Sequence, residues 1–519
     1  MSIAVTYSAH IAGLTAEIVT VEVDISNGLN SVSIVGLGDR AVEEAKDRIS
    51  AAVKNSGYAS PKQKNQKVVI SLAPADVRKE GPAFDLPMAL GYLAAAGDIE
   101  FDPTGTLFLG ELSLEGRVRR VSGVLPILVQ AAAHGFDRIF VPAENALEAS
   151  LAGGIRIYAI SSLRETIDCL TGKSSLEPVA EQRDLASDSA GDGADPSSAD
   201  SYDMRFIRGN EAAKRGLEIA AAGAHNLLLY GPPGTGKTML AQSFRSIMPS
   251  LSREEAIEVT SIHSAARALG NSLITRPPFR APHHTASYPA VVGGGAFPRP
   301  GEITLAHRGI LFLDEFPEFD RTVIEALRQP LEEKTITISR ARGSVEFPAQ
   351  AILIASMNPC PCGKPRDKGC DCTAAVLRGY KRRISGPIMD RFDIWLNVNK
   401  VDYEKLAATD SLVESSAAIR ARVTAARVIQ AARFRAHGSA KRYNSEMDAR
   451  DIEQLIGLSE TARRKLAVVA RKLSLSGRAF HRIIKVARTI ADLSGAPDII
   501  EKHLLEAIRY RQNMEEIRR

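Results

Sequence analysis

The chain has 519 residues, too many for one core and enough for three or four units of ordinary size. With 45% apolar and 24% charged residues it is expected to be soluble and globular, not disordered or membrane-embedded, and no stretch reaches the length of a membrane span. A net charge of +5 is too small for the whole surface to attract nucleic acid, so any basic binding face has to be local.

The first residues, MSIAVTYSAHIAG, lack the basic start and apolar run of an export signal, and with five cysteines this points to the reducing cytoplasm. Short β-branched runs at 68–72 and 138–141 alternate with a helical pattern over 86–96, which predicts an α/β or α+β domain over residues 1–172. Residues 173–203, rich in Ser, Ala, Asp and Gly, read as a flexible acidic linker. Strand patterns at 226–230, 310–313 and 351–355, each followed by turn or helix signals, predict a layered parallel sheet in a body spanning 204–401. From 402 to 519 the periodicity turns helical.

The run NLLLYGPPGTGKT places an apolar strand directly before a phosphate-binding loop of Gly231, Pro232, Pro233, Gly234, Thr235, Gly236, Lys237 and Thr238, and a helical pattern follows. The glycines let backbone N–H groups close around phosphate oxygens, and the helix start adds its positive dipole end. Lys237 is expected to reach the β and γ phosphates, and Thr238 to hold magnesium. GILFLDE then supplies a buried strand with Asp314 and Glu315 at its C-terminal end, where ligands of open α/β sheets bind. Asp314 is expected to orient magnesium and Glu315 to activate the attacking water. A third strand, AILIASMNP, ends at Asn358, whose amide suits both the γ phosphate and that water. GPIMDRFDIW sets Arg391 beside two aspartates, as a surface arginine of fixed orientation that would complete a neighbouring subunit's site; a plain Arg and Asp surface pair is the alternative.

Two further features stand out. Cys360, Cys362, Cys370 and Cys372 form two CxC pairs separated by seven residues, a set that can close a tetrahedral zinc site, with reduced free thiols as the alternative. EKTITISRARGSVEFPAQ alternates on both sides of Arg340 and Arg342, which predicts a hairpin with a basic tip. Two arginines there would grip phosphates without reading sequence, unless the tip is an ordinary solvated turn. His283 and His284 have no matching ligands nearby in the sequence.

With these residues placed, Asn358 resembles the sensor 1 position of AAA+ proteins. Nearly the whole chain resembles the ComM and YifB group of magnesium-chelatase-like AAA+ ATPases. The signatures that carry the likeness are RAPHHTAS at Arg280 to Ser287, RPGEITLAHRGILFLDEFPEF at Arg299 to Phe319, and NPCPCG at Asn358 to Gly363. The resemblance implies ATP as nucleotide, a homo-hexameric ring, and DNA branch migration as the line of function in recombination or natural transformation. It also implies a C-terminal helical lid in which Arg478 matches the sensor 2 arginine, with Arg482 one turn later as competitor. In the related MCM-like clade, the hairpin before the sensor 1 strand points into the ring channel. Where the family has Gly-Gln before the phosphate loop, this chain has Gly209-Asn210.

The N-terminal run KVVISLAPADVRKEGPAFDLPMALGYLAA resembles the Lon-protease (S5-type) α+β fold. The serine turn of that fold here reads Gly81-Pro82-Ala83, and its lysine position falls near Leu125, so the dyad chemistry is lost and a scaffold or binding platform remains. The competing readings for the whole chain are a chelatase-type ATPase subunit and a nucleotide-gated protein scaffold.

Overall fold

The computed structural model describes residues 3–75, 79, 81–182, 202–266, 268–269, 273–295, 298–340, 343–364, 369–401, 413–472 and 475–518. Strand Thr15–Asn27 sends Val19, Val21 and Val23 to one side, and its neighbour Gln66–Ala73 matches them with Val68, Ile70 and Leu72, all fully buried. That alternation builds the centre of a seven-stranded mixed sheet. Its order is Ser31–Val35, Gln66–Ala73, Thr15–Asn27, Ala4–Ala12, Thr106–Phe108, Arg138–Pro142, Arg156–Ile160. The first three strands in the chain and Gln66–Ala73 form an antiparallel half closed by one parallel pair, and the last three strands run parallel. Phe108 and Phe140 join the core under helices Arg40–Asn55 and Asp85–Ala95, whereas Leu107, Ile139 and Val141, of opposite parity, face helix Val124–Ala133. Both faces are therefore covered, as the pleat requires. Arg48 clamps the fully buried Asp85 with two bonds of 2.7 and 2.9 Å, tying the two helices of the first face together.

Residues Met1–Gly193 form one compact unit together with Ser252–Thr275, and Ala194–Leu251 with Arg276–Arg519 form the other. The sequence runs the nucleotide-binding body unbroken over 204–401, but helix Arg253–Ala265 leaves it for the first unit. Its buried Ala256, Val259 and Ile262 form an apolar face, Ile257 packs on the cluster built around Leu125 and Leu128, and the Ser264 hydroxyl accepts the Gly123 N–H at 2.9 Å. Most of the acidic stretch, residues 183–201, lies outside the described residues. Ala83 and Leu125, where the protease resemblance puts serine and lysine, share this same apolar cluster.

The second unit is built on a five-stranded sheet whose pairings are all parallel, in the order Phe279–Arg280, Ile310–Leu313, Ile352–Met357, Leu227–Tyr230, Ile394–Asn397. The three strands expected from sequence are there, buried along their centres and apolar except for Ser356 in Ile352–Met357 and the phenol of Tyr230. Helices Ser416–Ala436 and Gly477–Leu493 do not stand apart from this sheet. Ile419, Val423, Ile483, Ile484 and Ile490 belong to the same apolar core as Leu227, Ile310 and Ile354. Buried His225, before the phosphate-loop strand, bridges Asp393 at 3.2 Å and the Thr489 hydroxyl at 2.8 Å, which fastens sheet to helix. Among the described residues no helix is long and apolar enough to cross a membrane.

Candidate active site

Register decides which loops meet. Tyr230 pairs with Met357 and Leu313 with Ala355, so the next residues, Gly231 with Asn358 and Asp314 with Ser356, leave the same sheet edge side by side. Strand Ile352–Met357 lies between the phosphate-loop strand and the acidic-pair strand; its Ser356 reaches Asp314, and Asn358, just past its end, reaches Lys237.

At the phosphate loop, a Cβ on Gly231 would lie 2.1 Å from the Val398 carbonyl oxygen, and Gly234 and Gly236 hold φ of +73° and +87°. Only glycine satisfies these positions at little cost. Gly236 caps helix Lys237–Ile247 without any side-chain cap, leaving first-turn N–H groups directed at the loop as an anion site. Pro232 and Pro233 stiffen the loop, and the Thr235 hydroxyl donates to the Pro232 carbonyl at 2.9 Å. The Lys237 ammonium turns back onto the Gly231 and Pro232 carbonyls, each at 2.8 Å, and onto the Asn358 side-chain oxygen at 3.0 Å. Burial lowers its pKa, against the opposing pull of Asp314 and Glu315. Anionic phosphate oxygens offer that ammonium better partners than neutral carbonyls do.

Thr238 donates to Asp314 at 2.8 Å, so a hydroxyl and a carboxylate stand together as the hard oxygen pair a magnesium ion takes. The other Asp314 oxygen accepts from the Ser356 hydroxyl and from the Glu315 N–H at 3.0 Å. Glu315 itself sits in the left-handed region, φ 51° and ψ 45°, with its N–H also 3.2 Å from Ser356 Oγ. Its side chain is about half exposed and lies 3.8 Å from the His284 ring nitrogen. Ser356 and His284 are site neighbours that spacing alone does not reveal; the only sequence signal for His284 is its place in RAPHHTAS.

The two arginines assigned to hydrolysis lie elsewhere. Arg391 is a correction: it is not a surface residue but 6% exposed, paired with Glu332 and donating to the Pro387 carbonyl at 2.8 Å. Its expected aspartates are otherwise engaged, Asp390 with Arg511 at 3.2 Å and Asp393 with His225. Arg478 is exposed and 3.8 Å from the same Glu332, while Arg482 is 3.6 Å from Asp393. Glu332, Arg391, Arg482 and Lys485 line a cleft of about 680 Å³. No hydrogen bond or ion pair among the described residues joins Arg391 or Arg478 to the phosphate loop.

The hairpin pairs Thr335–Arg340 with Gly343–Pro348, Arg340 opposite Gly343. Arg342 lies outside the described residues, as does the side chain of Arg340. Cys360, Cys362, Cys370 and Cys372 converge, their sulfurs all within 4.8 Å of one another. Burial pushes the Cys360 thiol up to about 12, while hydrogen bonding from Cys360 brings Cys362 down to about 6. Asn210 takes the left-handed region at φ 54° as the cap of helix Glu211–Gly223, a conformation asparagine tolerates better than most residues.

Residues 203–406 match the family described as magnesium chelatase, subunit ChlI; residues 21–145 match subunit ChlI of Mg-chelatase; and residues 413–511 match its C-terminal family. The chain is 41% identical over 513 residues to the competence protein ComM of Haemophilus influenzae, covering 98% of each. The chain belongs to the ComM/YifB family of magnesium-chelatase-like AAA+ proteins. The YifB protein of Salmonella typhimurium is 43% identical over 514 residues, 98% of this chain and 97% of its own. A partial likeness, 27% over 180 residues, joins this ComM/YifB chain to Lon protease 2 of Bacillus subtilis, covering 32% of the chain and 31% of that protein. ATP hydrolysis is the activity that membership suggests, and the loops gathered at the sheet edge suit it.

Proposed function

We propose that this ComM/YifB protein is an ATP-driven, ring-forming motor that binds and remodels DNA, moving branch points in recombination or natural transformation. The observation that carries the reading is the convergence of Lys237, Thr238, Asp314, Glu315 and Asn358 on one sheet edge. Lys237 exchanges its loop carbonyls for phosphate oxygens. Thr238 and Asp314 hold the magnesium ion, which neutralises phosphate charge when bound. Glu315 takes the proton of the attacking water, and Asn358 orients that water. Arg391, freed from Glu332, completes the site of a neighbouring subunit in a homo-hexamer, with Arg478 as the second arginine acting on phosphate.

Arg340 and Arg342 grip the DNA backbone in the channel, and the similarity to a competence protein supports DNA as the substrate. The four thiols would hold a structural zinc ion. The cytoplasm is the compartment in which thiols stay reduced and ATP is supplied. The family descriptions favour one competing reading, a chelatase-type ATPase subunit. Purified protein should hydrolyse ATP faster with DNA present and should migrate a branched junction with ATP but not with a non-hydrolysable analogue. An ATPase indifferent to DNA, with no junction movement, would favour the chelatase reading.

A further inference from the structure

Asn358 leads out of the candidate active site into Cys360 and Cys362, and Cys370 and Cys372 join these two in one thiol cluster. Cys360 Sγ is 3.2 Å from Cys362 Sγ and 3.6 Å from Cys370 Sγ, and Cys362 is 3.6 Å from Cys370. A tetrahedral zinc ion with bonds of about 2.3 Å needs sulfurs about 3.8 Å apart, so the cluster closes on an ion with small side-chain adjustments.

Three contacts tie this loop to the phosphate site. The Asn358 side chain receives Lys237 at 3.0 Å. Two residues after Asn358, the turn Cys360–Gly363 is closed by the Gly363 N–H on the Cys360 carbonyl at 3.0 Å, and Gly363, at φ +73°, lies against the Pro233 ring so closely that a Cβ would stand 2.8 Å from its Cγ. After Cys372, Thr373 caps helix Ala374–Arg382, whose buried Tyr380 accepts a backbone hydrogen bond from Asn358 at its phenol oxygen. Cys360 is buried, but Cys362 is exposed and Cys370 and Cys372 are half-buried, so packing alone holds little of the loop in place.

We propose that the zinc-loaded loop is a wall of the nucleotide site: an ion on Cys360, Cys362, Cys370 and Cys372 fixes the turn against Pro233 and holds the phosphate loop and Asn358 in their binding geometry. This rests on the zinc reading of the thiols and on the nucleotide reading of Gly231 to Thr238. The ion takes no part in hydrolysis. Its effect is preorganisation, which raises affinity by sparing the loop an ordering step when the ligand binds.

The test uses the full chain purified under reducing conditions. Metal analysis should find one zinc per chain, and cobalt in its place should give thiolate-to-cobalt absorption. Chelation should weaken binding of a fluorescent ADP about tenfold, the change expected if the binding-competent population falls to about a tenth, and zinc alone should restore it. The emission of Trp395, the single tryptophan and fully buried on the last strand, reports whether the sheet stays folded. Gly363→Ala keeps all four thiols but strains the turn and crowds Pro233, so it should retain zinc and still bind ADP several-fold more weakly. That variant decides the matter if the metal-free chain unfolds. Absence of zinc from the reduced protein would overturn the metal reading. Stoichiometric zinc with unchanged ADP affinity in Gly363→Ala would overturn the wall alone, and failure of the native, zinc-loaded chain to bind ADP would overturn the nucleotide site.

Discussion

Glu315 occupies a backbone conformation that costs a non-glycine residue about 1 to 3 kcal/mol, and it is held there by its N–H on Asp314 and Ser356. In that conformation the carboxylate is about half exposed, 3.8 Å from the His284 ring nitrogen, and its charge acts on Lys237. Glu315→Gln keeps shape and backbone but cannot take a proton. Phosphate release should fall about 100-fold or more while nucleotide binding persists, and a variant that hydrolyses at the normal rate would remove Glu315 from the role of base. Lys237→Ala acts earlier. With the ammonium gone, binding of ADP and ATP should itself weaken, which equilibrium titration reads directly.

Between elements, the junction that matters most to the second unit is the buried chain Asp393, His225, Thr489. Burial pushes the Asp393 pKa up, but the hydrogen bond from His225 and the charges of Arg482 and Lys485 outweigh it and bring the group to about 2. A folded-state value below the ordinary carboxylate range adds stability that is present above pH 4 and lost as the pH falls toward 2. Acid unfolding of the second unit should therefore steepen in that window. In Asp393→Ala, whose loss at neutral pH should be roughly 3 kcal/mol by denaturant titration, the steepening should vanish. A variant as stable as the parent would show that His225 and Thr489 fasten the sheet without their carboxylate. The hairpin is the other element with a separable task. Replacing Arg340 and Arg342 with Ala should weaken DNA binding on all sequences alike and lower its salt dependence, with basal ATPase retained; unchanged affinity and salt slope would show that the grip lies elsewhere.

For the whole molecule, the burial of Arg391 on Glu332 sets a condition on assembly. If each site is completed by a neighbour, Arg391→Ala should bind ATP and fail to hydrolyse it, and mixing with Lys237→Ala should restore part of the activity. One variant brings a sound phosphate loop and the other a sound arginine. Mixed rings that stay inactive would return Arg391 to a structural role beside Glu332.

The phosphate loop, the acidic pair and the four-thiol cluster were legible in the chain because each is local: glycines where φ turns positive, an apolar run ending in carboxylates, thiols a few residues apart. The parallel strands at 226–230, 310–313 and 351–355 were legible for the same reason, since a short apolar run between turn signals has few other uses. Partnership was not. Helix Arg253–Ala265 lies inside the span read as one nucleotide-binding body, but its packing on Val124–Ala133 depends on which surfaces fold close together. Ser356 meets Asp314, His284 approaches Glu315 and Glu332 holds Arg391 only because sheet register and loop path bring them together across gaps of tens of residues. Local chemistry is written in neighbouring residues, whereas contacts between distant ones are set by the packing that minimises exposed apolar surface, and only the tertiary structure decides those.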